Sequence, residues 1–191
     1  MHIFLETDRL ILRRFTEDDV DNLVDLDSDP AVVWDGRSTP REEVERDHIP
    51  AYLDYYQRYQ GYGFWAAIEK SSGRFLGWFH FRPNVPDGDG PLEPELGYRL
   101  HRDAWGRGFA SEGSRALIDM GFERLGVERV HASTMAVNVG SRRVMEKAGM
   151  RFVREFHADW PVRIPGDEHG DVEYAIERAQ WESDRAPEIR A

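Results

Sequence analysis

The chain has no cysteine among its 191 residues. That excludes disulfides, thiolate metal sites and a cysteine nucleophile. It also lacks any surplus of positive charge: 25 Lys and Arg stand against 36 Asp and Glu, a formal net charge of -11. Such an acidic chain is a poor partner for nucleic acid, which binds through neutralisation of phosphates. No apolar run approaches a membrane span, and the opening Met1-His-Ile-Phe-Leu-Glu6 carries no signal-peptide pattern. The expectation is a cytoplasmic protein with no membrane partner. The seven histidines have no H-E-x-x-H spacing, so no metal is expected, and there is no G-x-S-x-G elbow.

What is present suits one domain with a real core: 40% hydrophobic residues, 12% aromatic and 32% charged. Residues 9–15 alternate as a strand, and Thr16 caps a short acidic helix whose apolar face is Val20, Leu23 and Val24. Thr39 as N-cap, Pro40 at the first helical position and Glu42 completing a capping box mark a second helix. Pro50 should kink or split it. Tyr52, Tyr55, Tyr56 and Tyr59 then form a core-facing stripe at helical spacing. Residues 61–69 and 74–82 read as a hairpin turning at 70–73, and 83–91 as a loop.

A strand at residues 95–100 follows, then a glycine-rich turn and a helix to residue 125. A strand near Val130, a helix from Asn138 to Gly149, strands at 151–159 and 171–179, and a polar tail from 183 complete the chain. The order implies a single α+β domain over residues 1–182. Its sheet is mixed and mostly antiparallel, flanked by helices, with a central parallel strand-helix-strand crossover through the helix at Ala110.

The turn Trp105-Gly-Arg-Gly-Phe-Ala110 is the most informative stretch. A glycine-rich turn opening a helix offers free N–H groups and the positive end of a dipole, a ready pyrophosphate site. A nucleotide P-loop needs Lys-Ser/Thr after its last glycine; here Phe109 and Ala110 follow Gly108, and Ser114 and Arg115 follow Gly113. An NADP-type dinucleotide fold fits the spacing of Gly106, Gly108 and Gly113. However, the next strand ends without an acidic ribose reader, and several elements precede a motif that usually opens such a domain.

The third reading is coenzyme A, and it is carried by several motifs in order. Glu6-Thr-Asp-Arg-Leu-Ile-Leu-Arg13, Glu95-Leu-Gly-Tyr98, Trp105-Gly-Arg-Gly-Phe-Ala-Ser-Glu112, Asn138-Val-Gly-Ser141 and Glu146-Lys-Ala-Gly-Met150 together resemble the GNAT superfamily of N-acetyltransferases. The resemblance is strongest to its ribosomal-protein N-acetyltransferase (RimJ/RimL-like) branch and spans residues 6–181. It implies a GNAT-like domain and transfer of an acetyl group from acetyl-CoA to a primary amine, a small molecule or a protein N-terminus. With no cysteine, the simplest route is direct attack in a ternary complex.

The resemblance also implies roles. The backbone of Trp105, Gly106, Arg107, Gly108, Phe109 and Ala110 would hold the pyrophosphate, Trp105 replacing the usual Arg or Gln donor. Tyr98, Arg99 and Leu100 would pair with the pantetheine arm in a slot opened by splaying from the strand at Val130. Asn138, a natural N-cap, would also touch the cofactor, and Ser141 would protonate or hydrogen-bond the leaving thiolate. The family's tyrosine acid falls on Met145, which donates no proton and reads as core.

Glu95 is the candidate base, Glu93 the reserve, and Glu112 a helix-start acid. Trp34, Asp35 and His80 are candidates for acceptor binding, His80 being equally readable as structural. The run Asp167-Glu-His-Gly-Asp171 reads as a solvated loop, or a lure for a cationic acceptor. The exposed strand edges of such folds allow a homodimer. Two other functions are compatible with the motifs: a silent CoA-binding sensor and an NADP-dependent oxidoreductase.

Overall fold

Alternation along the strands builds two buried layers on one sheet. In the hairpin strands Phe79 and Phe81 are wholly buried on one face, with Leu96 and Leu100 beside them from the next strand, while Trp78, His80 and Arg82 take the other face. The computed structural model describes residues 2–33, 36–84, 93–159 and 162–185. Among them the strands are β1 (Ile3–Glu6), β2 (Leu10–Arg14), β3 (Gly63–Glu69), β4 (Phe75–Asn84), β5 (Glu93–Leu100), β6 (Arg129–Met135), β7 (Arg151–Phe156) and β8 (Asp171–Glu177). The helices are α1 (Val20–Leu26), α2 (Arg41–Glu43), α3 (Ile49–Arg58), α4 (Phe109–Arg124), α5 (Val139–Lys147) and α6 (Arg178–Arg185).

The strands form one eight-stranded sheet in the order β1-β2-β3-β4-β5-β6-β8-β7. Every neighbouring pair is antiparallel except β5 and β6, which are joined by the crossover through α4. That is the mixed α+β arrangement expected, and it excludes the doubly wound parallel sheet of the dinucleotide reading. Helix α4 packs on the face of Phe79 and Phe81, with Phe109, Leu117, Ile118 and Phe122 buried. A second core of Phe15, Leu23, Leu26, Val44, Ile49, Ala66 and Phe75 lies under α1 and α3. The tyrosine stripe does pack on the sheet: Tyr52 stacks on Phe64 at 4.1 Å and Tyr56 on Trp65 at 5.2 Å.

Several boundaries differ from expectation. Strand β1 comes before the first strand read from sequence and pairs with β2. The Thr39 hydroxyl donates to Asp27 Oδ2 (2.8 Å) and does not cap α2, whose N-cap is Pro40. Pro50 does divide the helix: a π-turn over Val44–His48 precedes α3, which carries Pro50 in its first turn. Pro83 and Asn84 extend β4 where a loop was expected; residues 85–92 of that loop lie outside the described residues. Residues 183–185 are helical, because α6 docks: Trp181 packs on Phe122 and its Nε1 donates to Asp119 at 2.7 Å.

Gly113 works through size. A Cβ there would lie 2.4 Å from the fully buried Phe79 ring, so the missing side chain sets how closely α4 approaches β4. Gly113→Ala is expected to cost ~1–3 kcal/mol by overpacking, a drop of about 2–10 °C in Tm. Gly140→Ala, where the nearest atom lies at 3.6 Å, should leave Tm unchanged or raise it. Scanning calorimetry of both variants checks this.

Asp19 supplies a pH-dependent contribution. It is 2% exposed and takes both Arg13 Nη atoms (2.7 and 2.6 Å), the Thr16 amide (2.9 Å) and Asn22 Nδ2 (2.8 Å). Burial opposes its charge, but these hydrogen bonds win and hold its carboxyl below the ordinary range. A lowered folded pKa gives stability that is complete above the unfolded value of about 3.9 and lost as pH falls through the folded one. Asp19→Asn should therefore cost about 3–5 kcal/mol at neutral pH. In urea titrations the gap from the parent should narrow below about pH 3.9.

Candidate active site

The site begins where β5 and β6 part. Their parallel ladder has one register pair, Glu95 with His131, and beyond it the strands diverge. On its other side β5 stays in register with β4 from Glu93 to Leu100. The His101 amide donates to Leu76 O at 2.8 Å, and Arg99 O points at Gly77, where a Cβ would meet it at 2.1 Å. Antiparallel alternation then directs the main-chain groups of Gly97 and Arg99 to β4 and those of Tyr98 and Leu100 into the gap. Arg99 is thus turned away from the slot. Its side chain also leaves, pairing with the buried Asp27 at 2.8 Å and lying over Trp78.

The glycine turn closes one end of this gap. Gly106 (φ 70) and Gly108 (φ 84) adopt the left-handed region, and nothing lies within 4 Å of a Cβ position on Gly106, leaving open approach to the backbone. Glu112 N–H bonds Gly108 O at 3.0 Å, the first α4 turn. The amides of Phe109, Ala110 and Ser111 therefore have no helical acceptor. Trp105 Nε1 donates to Leu100 O at 2.8 Å, so the indole pins the end of β5 to the turn. The flanking cations are engaged: Arg107 with Glu69 (2.8 Å), Arg102 with Asp29, and Arg9 with Glu112 (2.6 Å). Glu112 also accepts from Thr7 Oγ1 and the Arg9 amide. Burial works against its charge, yet those bonds hold its carboxyl below the usual range, and it ties the N-terminal turn to α4. The Phe109 ring is buried between Arg9 and Arg107.

Across the gap stands α5. Asn138 is its N-cap, Oδ1 accepting the Ser141 amide at 3.0 Å. Ser141 Oγ lies 2.9 Å from the Tyr98 hydroxyl, which is also 3.2 Å from Ser141 O. Burial pushes the Tyr98 phenol up to about 12, the Ser141 contact opposing. Met145 is 1% exposed, a core residue.

On the opposite face of β5 lies a cavity of about 420 Å³, lined by Tyr55, Arg82, Pro83, Glu95 and His131. Glu95 Oε2 is bound by Arg82 Nη2 and stands 3.7 Å from His80 Nε2. His80 lies against Gly97, where a Cβ would meet Nε2 at 2.4 Å, and that buried nitrogen has no hydrogen-bond partner among the described residues. Burial, then Arg82, His131 and Arg99, push the imidazole well below its usual value, so it is neutral. A second cavity of about 250 Å³ is lined by Val33, Arg37, Ser38, Thr39, Glu43, His48 and Arg99.

Glu93, the reserve base, is held by Arg129 at 2.8 Å. Trp34 and Asp35 lie outside the described residues. The acidic run is not solvated throughout, for Glu168 and His169 are exposed but its two aspartates are not. Asp167 is buried and accepts the Ile164 amide (3.1 Å), and the buried Asp171 accepts that of Ala158 (3.0 Å). Sequence reasoning passed over Arg82, His131 and Tyr55. Strand alternation puts Arg82 on the same face as His80, but only the register of β4, β5 and β6 brings Arg82 and His131 beside Glu95; Tyr55 was absorbed in the core stripe. Among the described residues no acidic or histidine cluster could hold a metal, and no helix is long and apolar enough to cross a membrane.

The family profile described as "Acetyltransferase (GNAT) domain" matches residues 9–151. FsC-acetyl coenzyme A-N(2)-transacetylase of Aspergillus fumigatus is 32% identical over 185 residues, 93% of this chain and 77% of that protein. The uncharacterized N-acetyltransferase p20 of Bacillus licheniformis is 35% identical over 143 residues, 74% of this chain and 78% of its own. Among solved structures, RimL, a ribosomal L7/L12 alpha-N-protein acetyltransferase in complex with coenzyme A, superposes with a TM-score of 0.74 at 22% identity, covering 92% of this chain and 98% of that one. A slot between diverging strands, a glycine turn opening α4 and a matching family profile lead to one assignment: the chain belongs to the GNAT family of acetyltransferases.

Proposed function

We propose that this enzyme transfers the acetyl group of acetyl-CoA to a primary amine by direct attack in a ternary complex. The observation that carries the reading is the divergence of β5 from β6, with Glu95 in a cavity on one face and Ser141 across the gap on the other. The pantetheine arm pairs like an added strand with the main-chain groups of Tyr98 and with the Leu100 N–H, the Leu100 carbonyl being held by Trp105. The amides of residues 106–110 take the pyrophosphate, with Asn138 beside the arm. Trp105, already bonded to Leu100 O, contributes through the turn it fixes.

The acceptor enters from the cavity side, past Tyr55, Arg82 and His131, with His80 and the loop carrying Trp34 and Asp35 contributing contacts. The amine nitrogen attacks the thioester carbonyl, and its proton passes to Glu95 directly or through water. A main-chain N–H facing the slot steadies the oxyanion. The C–S bond then breaks, and the thiolate departs beside Ser141. Thiolate is a fair leaving group near neutrality, with an ordinary thiol pKa of about 8.5, which makes a buried Met145 tolerable. The acceptor is a small amine or a protein N-terminus; the fungal relative is named for N(2) transacetylation and the bacterial neighbour for an alpha-N-protein substrate.

Calorimetry should detect acetyl-CoA binding and none of NADP. Glu95→Gln should lower turnover about 10²–10⁴-fold, the range for a general base, and Ser141→Ala about 10–100-fold. Both should leave acetyl-CoA affinity unchanged. A panel of peptide N-termini and small amines supplies the assay; full activity in Glu95→Gln would remove that residue from the mechanism.

A further inference from the structure

The family's tyrosine acid is absent from α5, yet a phenol from another element reaches the same helix. Tyr98 extends from β5 and its hydroxyl meets Ser141 Oγ at 2.9 Å, spanning the gap between the diverging strand and α5. On the acetyl-CoA reading of the slot, this contact is placed beside the thiol end of the arm.

We propose that Tyr98 is a positioning residue for the leaving group: its hydroxyl donates to Ser141 Oγ, which frees and aims the Ser141 O–H at the departing CoA sulfur. This rests on the acetyl-CoA reading of the slot. The phenol proton has two acceptors in reach, Ser141 Oγ at 2.9 Å and Ser141 O at 3.2 Å; given to the nearer Oγ, it leaves the Ser141 O–H to donate to sulfur. The phenol is also the more acidic of the two hydroxyls, so it is the better donor. Ser141 sits in the first turn of α5, whose positive dipole end also favours a thiolate.

Magnitudes decide between a proton transfer and a hydrogen-bond chain. Burial holds the Tyr98 phenol near 12, whereas an ordinary thiol titrates at about 8.5. Protonating the thiolate from this pair is therefore uphill. When the C–S bond breaks, the sulfur takes the electron pair and remains a thiolate. Tyr98 and Ser141 each keep their proton, the amine proton goes to Glu95, and water protonates CoA after release.

The test needs no acceptor. The thiol of CoA bound to the full-length protein is titrated through the ultraviolet absorbance of its thiolate. Ser141→Ala is expected to raise the bound thiol pKa by about one to two, the worth of one hydrogen bond to a charge. Tyr98→Phe, which removes only the hydroxyl, should raise it by about half of one, since it weakens the chain without cutting it. In the double variant the Tyr98 change should add nothing, because it acts through Ser141. An equal Tyr98→Phe effect with and without Ser141 would overturn the relay, and so would an unmoved thiol in Tyr98→Phe with CoA still bound. Failure of CoA to bind the parent protein would instead sink the acetyltransfer reading, and this inference with it.

Discussion

A β-sheet normally leaves no interior backbone group unpaired, since each buried orphan costs about 1–3 kcal/mol. Here β5 and β6 stay together for one register pair and then separate. The crossover through α4 lets them run parallel, and β4 holds β5 in register along its whole length. Consequently β5 cannot follow β6, and the main-chain groups of Tyr98 and Leu100 are left facing a gap. The rest of the site is arranged about that gap: the glycine turn at one end, α5 across it, and the Glu95 cavity on the far face.

Charge is distributed so that the backbone, rather than side chains, presents positive potential at the turn. Arg9, Arg102 and Arg107 each hold a carboxylate. The indole of Trp105 is spent on Leu100 O. What remains for an anion are amides of the turn and the N-terminus of α4, a helix of 16 residues. On the opposite face of β5 an ion pair is likewise closed: Arg82 and Glu95 meet inside a cavity beside a neutral imidazole.

Much of the fold was legible because it rests on local signals. The hairpin over β3 and β4, the strand-turn-helix at residues 95–125 and the Asn138 cap follow from alternation, glycine and capping chemistry. The misreadings have physical reasons. Thr39 fits a cap, yet the Asp27 carboxylate offered its hydroxyl a better partner. Strand β1 is too short to announce itself without β2. Helix α6 is polar in sequence and is held by the Trp181 indole on Phe122 together with bonds from Arg178, Gln180 and Arg185. At the candidate site, motif position singled out Glu95 and Ser141, whereas Arg82 and His131 come beside Glu95, and the Tyr98 hydroxyl beside Ser141, only through the fold, which no local pattern encodes.

The central claim is that the gap beside β5 receives acetyl-CoA as an added strand. The most direct measurement is amide hydrogen exchange at Tyr98, with and without saturating acetyl-CoA. The account predicts strong slowing at Tyr98 and little change at Arg99, whose amide already bonds β4. Bound acetyl-CoA with unchanged exchange at Tyr98 would contradict it, because the ligand would then lie somewhere other than the slot.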